Sequence, residues 1–197
     1  MSHNPIDLYG DERPVASSAD ASHKVAFHPL RYVMLGAVIA LTVAVGWVMY
    51  QTSQDEASGD PAPDFRLPLL GEDGSFVLSE QRGQTVVINV WGSWCEPCRE
   101  EAPMLERIYQ DYLDRGVIFV GVAVGDTEPG ALTFIEAYGI TYVNVMDITG
   151  QMEIDYQTNG IVPQTMVVNR RGDMVARFVA QPTESQLRRA IEATMGS

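Results

Sequence analysis

The pattern of apolar and polar positions divides this chain into four stretches. Residues 1–31 are polar and mixed, without a period, and read as a disordered cytoplasmic tail. Residues 32–50, Tyr32 to Tyr50, are apolar almost throughout, close to the ~20 residues that span a bilayer core. Residues 51–60 are polar and read as a flexible linker with a reach of roughly 20 Å. Residues 61–197 alternate short apolar runs with turn signals, as a folded domain does.

Within that domain, Gly71–Gly74 is a turn and Phe76–Leu78 a short strand. Thr85–Val90 is a β-branched run that reads as a buried strand. Met104, Leu105, Ile108, Tyr109 and Tyr112 recur at helical spacing, predicting a helix from Arg99 to about Arg115 with a kink at Pro103. Val117–Ala123 has the continuous apolar character of a central parallel strand. A helix over 129–138, a strand over 142–146 and a helical turn around 151–156 follow. Strands over 165–169 and 174–179 flank Asn169–Asp173, whose residues suit a hairpin turn. Thr183-Glu-Ser-Gln186 has the form of a capping box, with Leu187, Ile191 and Met195 on one side of the helix it opens. The order predicts an α/β fold, a central mixed sheet flanked by helices.

Topology follows from the flanks of the apolar run. Lys24 and Arg31 precede it, while Asp55, Glu56 and Asp60 follow, so the N-terminus is placed in the cytoplasm and the domain outside. Trp47, Tyr50 and Tyr32 sit near its ends, where aromatic rings prefer the interface. The run exceeds the apolar core of a signal peptide, and no small-residue cleavage site follows closely. A retained single-pass anchor is the expectation.

The chemistry concentrates in Trp91-Gly-Ser-Trp-Cys-Glu-Pro-Cys98, which holds both cysteines. Strand, tight turn and helix in succession put the first sulfur where unpaired helix N–H groups favour a thiolate, the form that attacks disulfides. Cys95 is therefore the candidate nucleophile and Cys98 the resolving partner. Pro97 is tolerated in a first helical turn because its missing N–H loses nothing there. Histidines 3, 23 and 28 all precede Tyr32, which leaves the domain no imidazole for a dyad or for a zinc or copper site. No metal and no cofactor is expected beyond a redox-active Cys95–Cys98 disulfide. The net charge is −13, and from Asp60 onward 20 acidic residues face 10 basic ones. That balance argues against nucleic acid and favours neutral or basic partners. Glu96, Glu100 and Glu101 crowd the helix start with only Arg99 opposing them, which raises the thiol pKa and points to a reductant.

These motifs resemble membrane-anchored, extracytoplasmic thioredoxin-like thiol-disulfide oxidoreductases of the TlpA/ResA/CcmG (DsbE) type. Ala62-Pro-Asp-Phe65 is similar to that family's opening motif, and Val86 to Cys98 to its active site. Gly160-Ile-Val-Pro-Gln-Thr165 is similar to the segment that carries its cis-proline. The resemblance implies a thioredoxin-like fold and a cis Pro163 that leaves the Val162 backbone free to pair with a client. It makes Trp94, Glu96 and Pro97 part of the client-contacting surface. Asn89 stands where thioredoxin proper has a buried Asp, and an amide cannot take the proton of Cys98. The resemblance assigns that duty to Glu101. It also implies electrons from a membrane thiol-transporting donor of the DsbD/CcdA kind, and apocytochrome c as the client in cytochrome c maturation. A general reductase for other clients or for oxidative stress is the alternative, and a copper chaperone on the same fold a weaker one.

Overall fold

All seven side chains of β4 (Thr85–Trp91) are buried, so this strand needs cover on both faces. The computed structural model describes residues 29–55 and 59–195, with the side chains of 33–47 and 59–195. Parallel to β4 on one side run β5 (Val117–Val124) and then β6 (Val143–Asp147). On the other side β7 (Gln164–Val168) runs antiparallel to β4, β8 (Asp173–Val179) antiparallel to β7, and the two-residue β1 (Asp60–Pro61) antiparallel to β8. The result is a six-stranded mixed sheet. A separate hairpin pairs β2 (Arg66–Pro68) with β3 (Ser75–Val77).

Alternation along the strands decides what each face meets. Val87, Phe119, Ala123 and Val167 point to α2 (Glu96–Tyr112), α3 (Glu128–Tyr138) and α5 (Glu184–Met195), whose Leu105, Phe134 and Leu187 complete one core. Val86, Ile88, Val90, Val120, Val122 and Met166 point the other way, into a second core. Phe65, Leu67 and Phe76 of the hairpin region and Met152 of the short α4 (Gln151–Asp155) cover that face. Helices thus flank the sheet unevenly, three long ones on one side and one short one on the other.

The helix-covered face carries a feature the other lacks. Thr165, Asn89, Gly121 and Asn144 stand side by side on four neighbouring strands, a row of buried polar groups. Trp91 Nε1 donates to Asn144 Oδ1 at 3.2 Å. Gly121 makes this possible, because a Cβ there would collide with Asn144 Oδ1 and the Trp91 indole.

The elements depart from expectation mainly at their ends. Helix α2 starts at Glu96, with Cys95 as its N-cap, and runs through Pro103 as one element; the proline removes only the bond to the Arg99 carbonyl. The strand expected at Phe76–Leu78 gives way at Leu78 to a single 3₁₀ turn, Leu78–Gln81. The capping box forms as read: Gln186 N–H donates to Thr183 Oγ1 at 3.3 Å and Thr183 N–H to Gln186 Oε1 at 2.9 Å.

Before the domain lies α1 (Pro29–Asp55), a helix that outruns the apolar stretch at both ends. It enters the segment read as a tail and takes up half of the segment read as a flexible linker. The exposed side chains described in it are those of 33–47. Among the described residues, no helix is long and apolar enough to cross a membrane. The side chains of Tyr32 and of 48–50, which end the expected span, lie outside them, as do residues 1–28 of the expected tail and 56–58 of the linker.

Candidate active site

The apolar strand β4 ends at Trp91, and its last residue is pinned by packing: the Trp91 indole stacks on Phe134 with ring centroids 4.4 Å apart. The chain then turns sharply into α2. Three side chains hold the turn. Asp126, just past β5, accepts from Ser93 N–H at 2.6 Å and from Ser93 Oγ at 2.9 Å. Arg99 donates to the Ser93 carbonyl at 2.8 Å. Trp94 Nε1 donates to the Gly125 carbonyl at 3.1 Å, with the ring lying over Gly92, where no Cβ would fit. Trp94 nevertheless remains 55% exposed, whereas Trp91 is core.

Cys95 and Cys98 form a disulfide, with their Cα atoms 5.3 Å apart. Cys95 is 4% exposed and Cys98 1%, so the ring is nearly closed over and Cys95 is the more accessible sulfur. The Cys98 N–H points at Cys95 Sγ from 3.2 Å, an orphan donor of the helix start directed at the outer sulfur. Pro97 occupies the first turn without loss.

The three carboxylates of the helix start do not act together, which corrects the sequence picture of a crowd of like charges. Glu96 is paired with Arg99 at 2.8 Å on the surface, and Glu100 points to solvent. Glu101 turns inward, 1% exposed. Its Oε1 accepts from Asn89 Nδ2 at 2.7 Å, and its Oε2 has no hydrogen-bond partner. Burial pushes this carboxyl up to about 7, against the opposing pull of the Asn89 hydrogen bond. One helical turn separates Glu101 from Cys98, so both face the sheet.

The second wall of the site is the segment leading into β7. Val90 pairs with Gln164, and the same register carries Pro163 to the level of Trp91. The Val162–Pro163 bond is cis. Val162 is half-buried and Pro163 buried. Gln164 braces this segment from below, donating to the carbonyls of Thr158 at 3.0 Å and Ile161 at 2.9 Å. Beside the turn, an open cleft of about 430 Å³ runs along α3 from the start of α2, lined by Ser93, Arg99, Thr133, Phe134 and Tyr138 among others.

Cys95, Trp94, Glu96, Pro97, Cys98 and Glu101 thus lie on the turn and the first turns of α2, and Val162 and Pro163 on the segment entering β7 at the level of Trp91. Asp126 and Gln164 were missed. Asp126 acts on a turn 33 residues away, and only the Gly125-Asp126-Thr127 break after a strand hinted at a loop near the site; Gln164 acts on carbonyls three and six residues before it, within an irregular segment that has no period to read. Among the described residues no group of three or more His, Cys, Asp or Glu is arranged to hold a metal ion.

The chain matches the Redoxin family over residues 57–191. It is 32% identical over 169 residues to thiol-disulfide oxidoreductase ResA of Geobacillus kaustophilus, covering 83% of this chain and 95% of that protein. ResA of Bacillus subtilis is 29% identical over 161 residues, 79% of this chain and 88% of that one. Among solved structures, a thioredoxin-family thiol:disulfide interchange protein of Chlorobium tepidum superposes with a TM-score of 0.63 at 26% identity. It covers 71% of this chain and 99% of its own.

Proposed function

The chain belongs to the Redoxin family and is a thioredoxin-like thiol-disulfide oxidoreductase, and from that premise we propose that it works as a membrane-tethered reductant outside the cytoplasm. The observation that carries the reading is Glu101, a carboxyl buried one turn beyond Cys98 that ionises near neutrality. A group of that kind can take a proton from a buried thiol at working pH.

In the proposed cycle, the Cys95 thiolate attacks a client disulfide. A Cys95–client bond forms, the client's own S–S bond breaks, and one client sulfur leaves as thiolate. Cys98 gives its proton to Glu101 and attacks Cys95 Sγ. The mixed disulfide breaks, the client departs with both sulfurs reduced, and the Cys95–Cys98 disulfide holds the two electrons' worth of oxidation. The Cys98 N–H that faces Cys95 Sγ stabilises the attacking thiolate. Val162, beside the cis Pro163, offers backbone groups to an extended client, and Trp94, Glu96 and Pro97 form the exposed rim around Cys95.

The apolar run over 32–50 and its flanking charges support a single-pass anchor with the domain outside. A membrane donor of the DsbD/CcdA kind would re-reduce the pair. Apocytochrome c is the proposed client; the charge of the domain, −10 from Asp60 on, suits a basic one, and the resemblance to the TlpA/ResA/CcmG type supports the choice.

Cys98→Ala tests the cycle directly, because it leaves Cys95 able to attack and removes resolution. The variant should accumulate a mixed disulfide with its client in membranes; failure to trap any protein would refute the client-reductase reading. Recovery of clients other than apocytochrome c would replace the cytochrome assignment with general disulfide reduction. A reduction potential nearer −120 mV than −270 mV would overturn the direction of electron flow.

A further inference from the structure

The Asn89 side chain contacts neither sulfur nor client in the proposed cycle, yet it is buried against the one group assigned to move a proton. Its Nδ2 donates to Glu101 Oε1 at 2.7 Å and to Thr165 Oγ1 at 3.3 Å. The amide is thus held between α2 and β7, two residues after the cis Pro163. An oxygen that accepts a short N–H bond keeps its lone pair, so a proton on this carboxyl belongs on the other oxygen. That oxygen, Oε2, is buried and without a partner.

We propose that Asn89 is a positioning residue that fixes the Glu101 carboxyl so that Oε2 alone exchanges the proton of Cys98. The inference rests on Glu101 as the proton acceptor of the resolving step. Asn89 selects the oxygen, and the amide's donor also favours the ionised form that must exist before Cys98 can lose its proton. Thr165 keeps the amide from rotating away. The groups that act on the carboxyl include Asn89 on β4, backed by Thr165 on β7, Cys98 one turn back on its own helix, and the buried phenol of Tyr142, with Glu106 beyond it. The phenol is neutral, raised by its burial and by the charge of Glu101.

The sign of one shift decides the matter. Deleting a donor to the carboxylate should raise the Glu101 midpoint above about 7, by roughly one pH unit or more. The opposite amide orientation would have the Asn89 carbonyl accept from the neutral acid, and deletion would then lower the midpoint.

The measurement is a carboxyl-carbon NMR titration of Glu101 in the full-length oxidised protein, for Asn89→Ala and for the similarly sized Asn89→Leu. Val167→Ala, a truncation on the same face of the sheet, is the control for lost packing. An upward shift in an Asn89 variant, with none in the control, supports the proposal. An unchanged or lowered midpoint, or an equal shift in Val167→Ala, overturns it. The readout needs no turnover, so it stays separate from the acceptor assignment. That assignment fails on its own if Glu101→Gln leaves the pH profile of mixed-disulfide resolution unaltered near neutrality.

Discussion

Along β4, even and odd positions meet opposite surroundings. Val86, Ile88 and Val90 share a largely apolar face with Val120, Val122 and Met166, with the Gln164 amide opposite Val90 at its edge. On the odd side, Val87 and Trp91 flank Asn89, and the row from Thr165 to Asn144 puts amides and a hydroxyl under the helices. One face can be explained by area removed from water. The other holds a carboxyl that burial penalises, which is what a proton-handling group needs and a stability-optimised core would lack.

The contrast can be broken most forcefully from the apolar side. Ile88→Ala should destabilise the domain by about 2–5 kcal/mol through lost burial and the cavity left behind, while the reduction potential stays where it was. A denaturant titration paired with a redox titration checks both halves. A potential that moved with stability would mean the faces are coupled.

Glu101→Gln should act in the opposite sense. The carboxyl ionises near 4.5 when unfolded and near 7 when folded. Below about 4.5 both states hold the proton and nothing is lost. As pH rises from there, the unfolded chain ionises first and stability falls, levelling off once pH passes the folded value. At pH 8 the glutamine variant should be more stable by on the order of 3 kcal/mol, with the gain gone at pH 4. Resolution of mixed disulfides should slow by about 10²-fold or more. Unfolding at both pH values and single-turnover kinetics read the two effects.

Gly121→Ala should cost about 1–3 kcal/mol by overpacking, because the added methyl strikes the Trp91–Asn144 hydrogen bond. The indole fluorescence of Trp91 should change with it. Smallest in stability is Trp94→Ala, a half-exposed ring at the rim, expected within about 1 kcal/mol. Its effect should show instead as weaker binding of client, read as a higher KM.

The helix-covered face was also harder to read from sequence. Strand β4, the Cys-x-x-Cys turn and the capping box at Thr183 are local patterns, and each formed where its residues stood. The cis bond before Pro163 came from family resemblance, since nothing in the dipeptide itself distinguishes the isomers. Glu101 came from the same resemblance, because Arg99-Glu100-Glu101 on its own looks like a solvated helix edge. Yet stepping back along the buried stripe from Ile108 and Leu105 lands on Glu101, then on Cys98; the helix phase held the signal. Asp126 had no such signal, as a side chain capping a turn 33 residues away leaves no period.

The point at which the chain enters the domain also has a consequence. Asp60 and Pro61 pair with Met174 and Asp173, and Ala62 N–H bonds to Gly172, beside the tight turn where β7 passes into β8. That turn adjoins the first residues of β4, whereas the disulfide lies past its last. Seven strand residues span roughly 20 Å. The backbone thus enters the domain at one pole of the sheet, and the sulfurs stand at the other, clear of the entry strand.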